Sequence, residues 1–91
     1  GLKNGEKKFP ERSKNMNIYI IVQSSDDIKE VTDRLESLKI TVYDVEITNI
    51  RELASQPPAL FIESGLPERS PHSDVIMALA AIDGVISVEE V

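Results

Sequence analysis

The stretch Asn17 to Gln23, NIYIIVQ, is almost continuously apolar, rich in Ile, Tyr and Val, and is followed by the polar run SSDD. β-branched and aromatic residues of that density predict a strand, and the near absence of polar positions predicts a central one. Asp27 and Glu30 then stand three apart, the spacing of a capping box. Ile28, Val31, Leu35 and Leu38 recur at helical intervals, with Asp33, Arg34 and Glu36 between them. This predicts an amphipathic helix over 28–38 with one stripe to bury.

The next segment, KITVYDVEIT, alternates with period two. A regular strand would place Thr41, Tyr43, Val45 and Ile47 on one face and Ile40, Val42, Asp44 and Glu46 on the other. The second face turns from apolar to acidic midway, which suits the edge of a sheet. NIRELASQPP is long for a hairpin connection, and Ile50 and Leu53 at helical spacing predict a single turn within it. Pro57 and Pro58 enforce an extended entry into ALFIES, a third strand over 59–64 of central character.

Ser70 before Pro71 predicts a capped helix start, since proline at the first helical position loses no intrahelical bond. Val75, Ile76, Leu79 and Ile82 form the apolar side, and Ala78, Ala80 and Ala81 allow close approach to a sheet. Gly84 supplies a left-handed stop, and a last strand runs over 85–91. In that strand Val85, Ile86 and Val88 are expected in the core, with Glu89 and Glu90 placing charge on a sheet edge.

The order strand, helix, strand, strand, helix, strand predicts an α+β protein. Right-handed crossovers place both helices on one face of a four-stranded antiparallel sheet, the ferredoxin-like βαββαβ two-layer sandwich. The first and third strands belong at its centre. One sheet face is then left uncovered, and either Ile18, Ile20 and Val22 or Tyr19 and Ile21 must point to it. Apolar surface of that kind predicts a homodimer, or an interdomain contact, through the open face or an edge strand.

Ninety-one residues support one domain, and 41% hydrophobic content with 29% charged residues is a globular balance. Two Phe, two Tyr and no Trp make the core aliphatic. The absence of Cys excludes disulfides, thiolate metal sites and cysteine nucleophiles. No apolar run approaches the ~20 residues of a membrane helix.

The net charge of −6 is uneven. Residues 1–14 hold Lys3, Lys7, Lys8, Arg12 and Lys14 against Glu6 and Glu11, a net of +3, which leaves −9 for residues 15–91. We therefore expect a basic flexible linker over 1–15 and a folded acidic domain over 16–91. An acidic body without basic and aromatic residues interleaved argues against nucleic-acid binding. A basic lead of this kind fits a cytoplasmic stretch following a membrane span. A first residue of Gly rather than Met fits a piece of a longer chain.

From Asn17 to Val91 the element order, together with the ending VIMALAAIDGVISVEEV, resembles the ACT and ACT-like domains, which share a final helix, a GV turn and a closing strand. That resemblance implies a regulatory domain that pairs with copies of itself and often binds amino acids. Its ligand-binding residues would fall in the first strand–helix turn, here Ser24, Ser25, Asp26 and Asp27. Many amino-acid-binding members have a glycine in this turn, and QSSDDIKEV has none. The basic KKFPERSK ahead of such a unit is similar to the cytoplasmic C-terminal part of MgtC/SapB-type membrane proteins. This second resemblance implies a non-catalytic regulatory or interaction domain attached to a bacterial inner-membrane protein, in a family associated with magnesium limitation and survival in the host. The competing implication is an amino-acid-sensing ACT domain of a soluble metabolic enzyme.

The residues themselves suggest little chemistry. His72 is the sole imidazole; with Asp74 and Ser70 or Ser73 it suggests a catalytic triad, but side chains so close at a helix start diverge. A surface position in the first helical turn is the expectation for it. Glu63, Asp74 and His72, or Asp26, Asp27 and Glu30, lack zinc-site or calcium-loop spacing. Gly1, Gly5, Gly65 and Gly84 are too scattered to cradle phosphate, and an acidic loop after the first strand excludes the arginine loop of acylphosphatases. We expect no catalytic residue, no metal and no cofactor.

Overall fold

The structure, a computed structural model, describes residues 9–48 and 56–91. Its elements are β1 (Asn15–Val22), α1 (Asp27–Ser37), β2 (Thr41–Thr48), β3 (Ala59–Gly65), α2 (His72–Ala80) and β4 (Val85–Glu90). The four strands form one antiparallel sheet in the order β2-β3-β1-β4. The ferredoxin-like plan holds, with the two most apolar strands at the centre. The turn expected around Ile50 and Leu53 lies outside the described residues.

Register decides which apolar residues are covered. Met16, Ile18, Ile20 and Val22 of β1 are buried beneath the helices, as are Leu60 and Ile62 of β3, which pair with Ile20 and Ile18. Val31 and Leu35 of α1 and Val75 and Leu79 of α2 close the same cluster. Burial of each such side chain contributes about 1.5–3 kcal/mol, so this aliphatic layer carries most of the fold's stability. Arg34 ties the helices together by donating from Nη1 to the carbonyl of Ala78 at 2.8 Å.

Two bulges change the face assignments of the outer strands. The pairing of β2 with β3 shifts between Val42 and Asp44, so that Val42, Val45 and Ile47 share the side of Ser64, Ile62 and Leu60. Tyr43 is the extra residue, and Asp44 and Glu46 lie together on the opposite side. A regular strand would have grouped Tyr43 with Val45. All eight residues of β2 are exposed, because α1 barely reaches that strand. In β4 the shift opposite Ile21 and Val22 leaves Ile86 unpaired and 53% exposed, so it is not a core residue, whereas Val85 and Val88 do pack against the core.

The helix ends are built differently from the simplest expectation. Asp27 reaches back rather than forward to Glu30: its carboxylate accepts from the Ser24 N–H at 3.0 Å. The C-terminus of α1 is a Schellman closure, with Ile40 N–H bonded to the Leu35 carbonyl and Lys39 N–H to that of Glu36. It puts Lys39 at φ 63, the left-handed region. α2 begins at His72, with Pro71 as its cap and no bond from Ser70 to the helix. Gly84 follows α2 at φ 92 as expected, and a side chain there would strike the Asp27 carboxylate.

A left-handed lysine is strained relative to glycine, so Lys39→Gly should stabilise the domain by about 1 kcal/mol. Thermal unfolding would register this as a rise of roughly 4–8 °C. An unchanged or lowered midpoint would show that the closure does not need φ above zero.

Candidate functional site

The β1–α1 turn, where the resemblance places a ligand, is held by its own groups. Ser24, Ser25 and Asp26 are exposed. The Asp27 carboxylate takes both the Ser24 N–H at 3.0 Å and the Ser24 hydroxyl at 3.4 Å, and it packs over Gly84. The Gln23 N–H donates to the Gly84 carbonyl at 2.7 Å, joining this turn to the α2–β4 turn. A polar cleft beside them is lined by Asp27, Glu30, Arg34, Ala81, Ile82 and Asp83. Arg34 is already bonded across to α2.

His72 departs most from expectation. Its place in the first turn of an amphipathic helix predicted exposure, yet the side chain is fully buried. Nδ1 lies 2.7 Å from Glu90 Oε2, and Nε2 lies 2.7 Å from the carbonyl oxygen of Ser13. A carbonyl can only accept, so Nε2 carries hydrogen and donates to it. The Glu90 bond then needs a second proton shared between ring and carboxyl. Neither Asp74 nor a serine hydroxyl is a partner, so no triad forms. Glu90 is thereby turned inward instead of guarding the sheet edge.

The same contact fastens the lead to the domain. Glu11 C=O accepts from the His72 N–H at 2.9 Å, the Glu11 carboxylate accepts from the Ser73 N–H at 3.1 Å, and Lys14 C=O accepts from the Leu66 N–H. Glu11 thus does the capping expected of Ser70, and β1 begins at Asn15. The bond from the Ser73 backbone holds the Glu11 carboxyl below its ordinary range, helped by the Ser73 side chain, His72 and Arg12 against the cost of desolvation. Sequence spacing could not reveal a cap 62 residues away.

The open face carries Tyr19 and Ile21 of β1, not Ile18, Ile20 and Val22. A row runs straight across all four strands: Glu89 opposite Tyr19, Tyr19 opposite Phe61, Phe61 opposite Glu46. In the next row Glu63 stands between Asn17 and Asp44, so two carboxylates face each other directly. Tyr43 lies over Gly65, where any side chain would collide with its ring. Phe9, Asn15, Asn17 and Glu63 line a shallow cleft beside it. Among the described residues no strand contains Lys, Arg or His, and no cation forms an ion pair with Asp44, Glu46, Glu63 or Glu89.

A third cleft, of 370 Å³, lies on the helical side between Leu38, Ile40, Leu66, Pro67 and Val75, rimmed by Glu68, Ser70 and Asp74. Asp74 is there, Glu63 is on the open face and His72 is interior, so the fold separates that trio of possible ligands. Among the described residues no three His, Asp or Glu side chains converge as metal ligands. Nor is any helix among them long and apolar enough to cross a membrane.

These features define a ferredoxin-like α+β domain whose distinctive chemistry is on an open sheet face. Comparison with known proteins bears on the fold: the chain is similar to the solution structure of the C-terminal domain of the MgtC protein from Mycobacterium tuberculosis, with a TM-score of 0.64 over 91% of this chain and 90% of that one. Sequence identity is 15%, so the shared property is the fold. No family model and no curated protein matches the chain.

Replacing His72 by Ala would leave Glu90 and the Ser13 carbonyl without partners and open a cavity. The expected loss is about 3 kcal/mol by denaturant unfolding, with a smaller loss for Glu90→Gln, whose amide N–H can donate to Nδ1. No loss for Glu90→Gln would show that packing alone matters, and equal losses would show that the carboxylate contact, not the volume of His72, sets the cost. For Glu11 the lowered carboxyl value means that its contribution is present above the ordinary carboxylate range and is lost as pH falls through the lowered value. Glu11→Ala should therefore be less stable than the parent near neutrality, with a gap that closes in acid; a pH-independent gap would contradict the cap.

Proposed function

We propose that this is a non-catalytic regulatory domain that works through protein contacts on its open sheet face, carried on the cytoplasmic side of an MgtC/SapB-type membrane protein. The observation that carries the reading is the row Glu89–Tyr19–Phe61–Glu46, with Asp44 and Glu63 beside it. Aromatic groups and carboxylates that no described cation pairs, grouped on a face without helices, suit recognition better than they suit a stable bare surface. The fold likeness to an MgtC C-terminal domain supports the membrane-protein context.

The amino-acid sensor is the alternative, and the β1–α1 turn favours it less. A ligand there would compete with the Ser24–Asp27 bonds and with the Gly84 packing. The test is a thermal-shift titration of the chain with the twenty common amino acids. No saturable stabilisation is expected, whereas a ligand at 100 times its dissociation constant would add about 2.7 kcal/mol. Saturable stabilisation by any one of them would replace this reading with the sensor.

A further inference from the structure

We infer that the open sheet face takes a basic protein segment, with an arginine side chain laid over the Tyr19–Phe61 pair. This rests on the reading above that the face is a contact surface, and it adds the chemistry of the partner. Tyr19 is 36% exposed and is cross-strand neighbour to Phe61, so the two rings form a platform in the middle of the sheet. Glu89 and Glu46 close the two ends of that row, and Glu63 and Asp44 stand in the row beside it. A guanidinium over aromatic faces gains from the ring quadrupole, and its N–H fork donates to surrounding carboxylates.

Charge supports the same occupant. Directly opposed like charges on neighbouring strands destabilise a sheet, and Asp44 faces Glu63. The described cations stand elsewhere: Lys29 pairs with Asp33, Arg34 bonds α2, Lys39 ends α1, Arg69 is in the β3–α2 loop, and Arg12 and Lys14 precede β1. A cationic partner relieves the repulsion. Anionic lipid and nucleic acid would add to it, and a second copy face to face would set carboxylates against carboxylates.

The experiment is a ¹⁵N-resolved NMR titration of the whole chain with acetylated hexa-arginine, with hexa-lysine and Mg²⁺ at matched ionic strength as controls. Saturable shifts centred on Tyr19, Phe61, Glu46, Glu63 and Glu89 are expected, larger for arginine than for lysine. Glu63→Gln should weaken the binding by about tenfold while raising the thermal midpoint at low salt, because it removes the repulsion that the partner otherwise relieves. Phe61→Leu should weaken arginine binding more than lysine binding. Shifts scattered over all acidic residues, the same shifts with Mg²⁺, or no saturation would overturn the inference. So would concentration-dependent shifts on this face accompanied by a dimer in sedimentation, which would make the second copy its occupant. Those outcomes leave the contact-domain reading standing; only amino-acid stabilisation removes that.

Discussion

One-sided coverage of the sheet is the constraint on which the rest depends. Two helices can cover one face of a four-stranded sheet, and side chains alternate along each strand, so every strand residue is committed either to the aliphatic layer or to the open side. The pairing of Ile18 with Ile62 and Ile20 with Leu60 makes that choice for the two central strands together. A slip of one residue would expose Met16, Ile18, Ile20 and Val22 and bury Tyr19 with Glu63, at a cost of many kcal/mol. The composition of the open face therefore follows from the composition of the core.

Where the helices stop, the constraint loosens. β2 projects beyond them, and its bulge at Tyr43 brings Val42, Val45 and Ile47 onto one side and Asp44 and Glu46 onto the other. The acidic residues gather on the open face because of one extra residue in an edge strand. Gly65 lets Tyr43 settle across β3. The resulting surface is locally unfavourable, with Asp44 against Glu63, and its local cost sits where nothing in the core requires it.

Besides Ser64, whose hydroxyl donates to the Met16 carbonyl at 2.7 Å, the described interior has one polar fixture, the contact of His72 with Glu90 and Ser13. It holds together the start of α2, the end of β4 and the segment leading into β1. A buried hydrogen-bonded pair of this kind adds little to stability over an apolar substitute, but removing one member is costly. Its structural effect is to set the path of the lead, with Glu11 capping α2 from the same side. The helix terminus and the entry of the chain are thus one unit.

The order of elements, the central rank of β1 and β3, the stop at Gly84 and the aliphatic core were all legible in the sequence, because each rests on local periodicity or on one residue's backbone freedom. The fully buried His72, the inward turn of Glu90, the exposure of Ile86 and the capping by Glu11 were not. Each depends on a partner distant in sequence or on a bulge, and alternation cannot reveal either. The four carboxylates of the open face were visible as residues, but their gathering around Tyr19 and Phe61 was not, since strand order and register set it. Sequence by itself determined which segments form and which must be buried; tertiary structure decided which polar groups meet, because those meetings come from pairings between strands far apart along the chain.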